Sequence, residues 1–315
     1  MYSVCSVGNS SFKIGIDGGG TKTECILVDA RGEIVARHLA PGCNPNVIGP
    51  EQARLIVTDA LVALLSSRSL NLQLSTLNPS SPITATMLFM SGAPTFWQEF
   101  AASLTDFGRV TTAPDSLPIL ELATHGAPGL AIHAGTGSFV AARSPDGTIH
   151  YAGGTGWRFG DPGSGYELGR RAISRALLEL QGWLPPSRLG PTVRDHTQLG
   201  TDADVRAVTR YFYQHAEPNR VIAALAPAIL RLAAEGDPTA HQVLVESATE
   251  LIELATRVAV KLFPGTSLDT VPAGLSGALL TNATVFATLA PRTPLPLIPI
   301  IEAPIEGVRR LLLRE

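Results

Sequence analysis

The chain presents one short grammar twice, and that repetition constrains its fold more than any other feature. In the stretch IGIDGGGTKTECILVDARGEIV, an alternating run from Phe12 to Asp17 ends in Gly18, Gly19 and Gly20. A strand-like run from Glu24 to Asp29 follows, then the turn signal Ala30-Arg31-Gly32, then a third run from Glu33 to Leu39. Later, Gly129 to His133 is an apolar run and Ala134-Gly135-Thr136-Gly137-Ser138 is a glycine loop. Phe139 to Arg143 is strand-like, Ser144-Pro145-Asp146-Gly147 is a turn, and Thr148 to Ala152 is another strand. Two antiparallel meanders, each with a glycine loop after its first strand, predict an internally duplicated α/β fold with two lobes.

The rest of the chain fits around these copies. Pro50 suits a first helical turn, and Leu55, Ala60, Leu61 and Leu64 make an apolar stripe, predicting a helix to about Ser67. Ser75 to Pro82 reads as a loop and Met87 to Met90 as a buried strand. After the second copy the pattern turns helical: Tyr166 to Gln181, Asp202 to His215, Pro218 to Glu235 and Pro238 to Phe263, with Gly182, Gly236 and Pro264-Gly265 as stops. Short strand signals return at Val271 to Leu280, and Gly307 to Arg314 reads as a terminal helix. The expected division is an N-terminal lobe over 1–116 and a C-terminal lobe over 117–315. The helical insertion is expected over about 166–263, with a terminal helix over about 304–315 packing back on the first lobe.

Composition excludes several function classes. The chain has 315 residues, is 45% hydrophobic and carries a formal net charge of −3. It has no basic block, so nucleic acid is not an expected partner. No apolar run is long enough to span a bilayer; Leu295 to Ile301 is broken by Pro296 and Pro299. The opening MYSVCSVGNSSFK lacks a basic start, so the expected compartment is the cytoplasm. The three cysteines, Cys5, Cys25 and Cys43, form no CxxC pair, which argues against a disulfide scaffold or zinc site. Cys25 is expected as a small buried hydrophobe.

The glycine loops suggest phosphate. Successive exposed backbone N–H groups make an anion nest, and glycine lets a ligand approach. Gly18, Gly19 and Gly20, with the hydroxyls of Thr21 and Thr23, fit a phosphate; Lys22 either adds charge or is simply solvated. Neither loop has the spacing of a Walker A or a dinucleotide loop. A carboxylate at Asp17 repels phosphate unless a cation lies between, and Mg²⁺ accepts one carboxylate plus phosphate oxygens. The plain alternative is a hairpin with a glycine-rich turn. The second loop, Gly135, Thr136, Gly137 and Ser138, favours an Mg-nucleotide site.

These residues resemble the N-acetylglucosamine kinase and BadF/BadG/BcrA/BcrD-type ATPase family, within the sugar kinase, actin and heat-shock ATPase superfamily. The resemblance runs from IGIDGGGTKT to APIEGVRRLL, through AIHAGTGS and GGTGWRFGDPGSGYELGRRA. It implies two ribonuclease H-like lobes, ATP and Mg²⁺ in a cleft, and an amino sugar beside them. It implies that Asp17 and Gly18 to Thr21 form the first phosphate motif, Gly135 to Ser138 the second, and Gly274, Ser276 and Gly277 an adenosine motif. It implies Asp115 as the catalytic base, with Asn44, Ser91, Thr136, Gly154 and Asp161 at the sugar. Proton abstraction from a sugar hydroxyl by a carboxylate is sound chemistry for this transfer. A homodimer is also implied.

Each of these residues has an ordinary reading as well. Asp115 could cap a helix starting at Ser116 or Leu117, Asp161 could cap the helix beyond Pro162, and Asn44 could be a turn residue. The glycines at 274 and 277 could mark a strand-to-helix turn. Three positions depart from the family pattern: Thr155 and Asn46 replace tryptophans, and Pro162 replaces a glutamate. Less aromatic surface weakens contact with a pyranose or an acetyl methyl. His125, His133 and His150 are read as structural or solvated, and Arg170-Arg171 as a helix face. The expected function is therefore ATP-dependent phosphorylation of the 6-hydroxyl of N-acetylglucosamine, glucosamine or N-acetylmuramate. The alternatives are a BadF-type ATPase powering a reductase and a nucleotide-binding regulator. The first needs cluster cysteines, and the chain has none after Cys43.

Overall fold

The computed structural model describes residues 11–66 and 82–315. The segment 67–81 and Cys5 lie outside the described residues, as does most of the loop expected at 75–82. The chain divides into two compact units, one of residues through Leu122 with Glu302–Glu315, the other Ala123–Ile301.

The first unit opens with the expected meander: β1 (Phe12–Gly18), β2 (Lys22–Asp29) and β3 (Ile34–Pro41) pair antiparallel. Gly32 takes φ +86° in the turn, a backbone state that favours glycine. A short helix α1 (Pro45–Ile48) leads into α2 (Pro50–Ser66), whose Ala53, Val57, Ala60, Leu61 and Leu64 are buried. Leu55 of the expected stripe is 52% exposed instead. Then come β4 (Ile83–Met90), α3 (Pro94–Ser103) and β5 (Arg109–Pro114). The sheet order is β3-β2-β1-β4-β5, with β4 parallel to both β1 and β5. Helix α4 (Ser116–Thr124) carries the chain onward.

The second unit repeats the plan. Strands β6 (Gly129–Ala134), β7 (Ser138–Arg143) and β8 (Ile149–Gly153) form the second meander. Helices α5 (Gly165–Leu180), α6 (Leu189–Thr197), α7 (Val205–Gln214), α8 (Pro218–Ala223), α9 (Ala226–Ala234) and α10 (Pro238–Leu262) follow. The helix expected over 218–235 is thus two helices. Pro227 lacks the N–H that a continuous helix would use, so α9 starts afresh around it. After the helices come β9 (Ala273–Ser276), α11 (Ala283–Leu289) and β10 (Leu297–Pro299), in the order β10-β9-β6-β7-β8. One face of β6 and β7 buries Leu130, Ile132, Ala134, Val140 and Ala142 against the helices.

The chain then returns to the first unit through α12 (Pro304–Arg314). Its Ile305, Val308 and Leu312 bury against Ile26, Val28 and Phe89. The buried Glu121 carboxylate receives both Arg314 Nη1 at 2.9 Å and Nη2 at 2.5 Å, so its charge is paired rather than stranded. Among the described residues, no helix is long and apolar enough to cross a membrane.

Candidate nucleotide and sugar site

In the first unit, the parallel strands bring distant residues to one edge. Gly18 pairs with Met90 and Met90 with Pro114, so Gly19, Ser91 and Asp115 leave three adjacent strands at their carboxyl ends. That edge is where open α/β sheets place ligands. Ser91 N–H donates to Gly18 O at 2.8 Å, fixing the β4 turn against β1. The Ser91 Oγ is buried and has no hydrogen-bond partner. An unpaired buried hydroxyl costs free energy unless a ligand completes it.

The Asp17–Thr23 hairpin is held from below. Gly19 N–H donates to Lys22 O at 2.9 Å, and Cys43 N–H donates to Gly19 O at 3.0 Å. A Cβ at Gly42 would lie 2.3 Å from Gly20 O and 2.7 Å from Thr21 N, so only glycine lets the segment after β3 run under the loop. Gly42 is a part of the site that sequence reasoning missed; the PGC turn after β3 was the available signal. Gly20 is exposed, with nothing within 4 Å of its side-chain position. Thr21 is exposed beside it. Thr23 corrects the expectation: it is fully buried and its hydroxyl donates to Pro41 O at 2.8 Å, so it braces the hairpin instead of lining it. Lys22 is exposed and pairs with Glu24 at 3.3 Å. Cys25 is buried as expected, near Cys43, and burial pushes their thiols up to about 12 and about 11.

Two carboxyls dominate this edge. Burial, then the nearby Asp115 charge, push Asp17 up to about 7, against a smaller lowering by Lys22. Burial pushes Asp115 up to about 6, while its own N–H and that of Ser116 oppose the shift. Asp115 therefore sits at the start of α4, taking its amides while remaining basic enough to accept a proton near neutrality. Asn44 also does two things. Its Oδ1 accepts from Asn46 N–H at 3.0 Å, capping α1 as the turn reading expected, which leaves its amide nitrogen as a donor.

The second unit builds its loop more tightly. Gly135 N–H donates to Gly137 O at 2.8 Å, and Gly135 O accepts from Gly165 N–H at 2.8 Å. Thr136 O accepts from Tyr166 N–H at 3.4 Å, so the loop is docked on the first turn of α5. Ser138 is buried and its hydroxyl donates to Pro162 O at 2.6 Å. That bond uses the backbone, so the proline at 162 leaves it intact. Asp161 is buried; its Oδ1 accepts from Gly156 N–H at 3.2 Å, and Oδ2 lies 3.0 Å from where a Gly137 Cβ would stand. Burial raises its carboxyl above the usual range. The cap of α5 is Ser164, not Asp161, so the helix-cap reading of Asp161 fails. Gly154, at φ +61°, sits exposed under the Tyr151 ring, and Thr155 bonds Gly160 O at 3.0 Å within the same loop.

The segment expected to meet adenosine divides. Gly274 lies inside β9, where its side-chain position faces Ala123 at 2.6 Å and Ile300 at 2.8 Å. It packs the sheet and does not line a loop, a correction to the expectation. Gly277 takes φ +91°, and a Cβ there would meet Ala134 O at 2.1 Å. Ser276 Oγ bonds His133 Nδ1 at 3.2 Å. The Arg170 and Arg171 face is paired with Glu167, and Arg171 also with Glu250.

The donor set suits Mg²⁺. Among the described residues no three His, Cys, Asp or Glu side chains gather into a metal cage. Asp17 beside open backbone amides is instead the one-carboxylate arrangement that Mg²⁺ uses together with phosphate oxygens and water.

Comparison with known proteins agrees with this fold. The family model described as the BadF/BadG/BcrA/BcrD ATPase family matches residues 14–289. An N-acetyl-D-glucosamine kinase of Dictyostelium discoideum is 26% identical over 79% of this chain and 79% of its own length. An N-acetylmuramic acid/N-acetylglucosamine kinase of Clostridium acetobutylicum is 24% identical over 76% of each chain. A crystal structure of a candidate N-acetylglucosamine kinase from Chromobacterium violaceum is 28% identical, with TM-score 0.77, covering 97% of this chain and 100% of that one. With the match spanning most of the sequence and both meanders in place, this chain belongs to the BadF/BadG/BcrA/BcrD ATPase family.

Proposed function

We propose that the protein is an ATP-dependent amino-sugar kinase that phosphorylates the 6-hydroxyl of N-acetylglucosamine, glucosamine or N-acetylmuramate. The observation that carries this reading is the convergence of Asp17, the unpartnered Ser91 hydroxyl and Asp115 at one sheet edge. The kinase names of relatives spanning about three quarters of the chain support it.

In this reading Ser91 Oγ and the Asn44 amide bind sugar hydroxyls, and Asp115 receives the proton of the attacking hydroxyl. The hydroxyl oxygen forms a bond to the γ-phosphorus, the bridging P–O bond breaks, and its electron pair leaves on ADP. The proton passes from the Asp115 carboxyl to solvent. The open amides at Gly20 and Thr21, and those of Thr136 and Gly137 in the Gly135–Ser138 loop, hold phosphate oxygens by backbone donors. Asp161, Thr136 and Gly154 orient the sugar. Asp17 would hold Mg²⁺, which would supply charge neutralisation at the phosphates. Ser276 and Gly277 border the nucleoside. The unit through Leu122 with Glu302–Glu315 and the unit Ala123–Ile301 serve as the two ATPase lobes, and the active species is a homodimer in the cytoplasm, where ATP is supplied.

The test is ADP release with Mg-ATP and glucosamine, N-acetylglucosamine, N-acetylmuramate, glucose or no sugar. Turnover with one amino sugar, and little without, is expected, with the product's phosphate located by NMR. Sugar-independent turnover would instead establish the ATPase reading, and none at all the regulator.

A further inference from the structure

His133 is the side chain that the proposed reaction leaves without a role, and its surroundings are unusually specific. It stands one residue before the end of β6, in register with Ser276 on the parallel neighbour β9. Both strands end in segments assigned above to the nucleotide. The ring bonds Ser276 Oγ through Nδ1 at 3.2 Å. Its Nε2 lies 3.3 Å from the side-chain position of Gly135, so the imidazole fills the space beneath the first residue of the loop. Phe139, across the hairpin from His133, stacks on the ring at 5.0 Å and 24°, and Tyr151 stacks on Phe139 at 5.2 Å. The ring is thus fixed in plane by stacking and in rotation by one hydrogen bond. Burial pushes it down to about 4, so it is neutral near pH 7 and adds no charge beside phosphate.

We propose that His133 is a positioning residue that ties the Gly135–Ser138 loop to the Ser276-Gly277 segment, so that both meet the nucleotide in one preset arrangement. The second tie between them is the close approach of Gly277 to the Ala134 carbonyl. That contact is steric and fixes distance. The His133–Ser276 bond is directional and fixes the orientation of the loop above the ring. Preset donors bind more tightly because little order is lost on binding.

The inference rests on the kinase reading for its ligand, but its test does not require turnover. ADP binding is measured by calorimetry on the full chain, with thermal unfolding as a fold check, for His133→Leu, Ser276→Ala and the double variant. Each single change is expected to weaken ADP binding about 5- to 20-fold, on the scale of one lost buried hydrogen bond. The double variant should be no weaker than the worse single, because both remove the same bond. His133→Asn, which presents a donor or acceptor near the Nδ1 position, should recover most of the affinity. His133→Gln, whose amide sits further out, should not. Where turnover is present, KM for ATP should rise with KM for sugar nearly unchanged. Unaltered ADP affinity in well-folded His133→Leu, additive losses in the double variant, or equal rescue by Asn and Gln would overturn the proposal. Lost sugar turnover in the wild type with intact ADP binding would sink the kinase reading and leave the His133 result standing on its own.

Discussion

The two glycine loops share a strand pairing and differ in what holds them. The first spans Gly19–Thr21 between β1 and β2, carries Asp17 and Lys22 at its ends, and leaves Gly20 in open space. The second spans Gly135–Gly137 between β6 and β7, carries no charge, and is docked on α5 through two backbone bonds. One loop therefore resembles an exposed hook beside two titrating carboxyls. The other is a docked ledge, with His133 beneath Gly135 and Asp161 beside Gly137. The duplication repeats topology, while the proposed reaction divides the chemistry: it assigns proton transfer and metal to the first unit, and backbone donors to the second.

That division predicts unequal mutational effects. Asp115→Asn should lower kcat by about 10²–10⁴-fold with ADP binding retained, the scale of a lost general base. Asp161→Asn, in the second unit, should mainly raise KM for the sugar, by about tenfold, on the scale of a lost charge-assisted hydrogen bond. If the two variants show the same kinetic pattern, the division of labour is wrong. Steady-state kinetics on both, with ADP calorimetry, decides it.

The loops should also differ in stability. Gly137→Ala places a methyl 3.0 Å from Asp161 Oδ2 and should cost about 1–3 kcal/mol, as overpacking does. Gly20→Ala meets no neighbour and needs no left-handed backbone, so its stability change should stay within about 1 kcal/mol. Urea unfolding of the two variants makes the comparison. Equal losses would show that the first loop is no more open than the second.

The smallest and most diagnostic effect is in pH. Asp17 and Asp115 titrate near 7 and near 6 in the folded chain, well above the ordinary value of 3.8. Between these limits the native state binds more protons than the unfolded state, so their contribution to stability falls as pH rises from about 4 to about 7. Asp17→Asn and Asp115→Asn should each flatten that fall, making the ligand-free variants more stable than wild type above pH 7. The acid limb of kcat/KM should lie between about 6 and 7, since Asp115 must be ionised to accept a proton. Thermal unfolding and rate profiles from pH 4 to 9 read both effects, and a stability rising with pH would reverse the assignment of burial as the cause.

Much of this architecture is written locally. The meanders were legible because strand alternation and turn glycines depend on near neighbours, and the boundaries of β1 and β2 fall within two residues of expectation. The break between α8 and α9 was missed because Pro227 can sit in the first turn of a new helix as easily as it can end an old one. β10 was hidden by its prolines, which an edge strand tolerates where a central strand does not.

Short-range patterns of period and residue type are enough to set the duplicated α/β plan, the two glycine loops and the set of residues able to carry kinase chemistry. Which of those residues share an edge follows from the assembled sheets. The tertiary structure gave Thr23 and Gly274 to packing, stranded the Ser91 hydroxyl, ran Gly42 under the first loop and joined His133 to Ser276 across 143 positions. Those outcomes depend on parallel strand register between segments far apart in the chain. Register is set by the buried faces of the whole sheet, not by any local stretch.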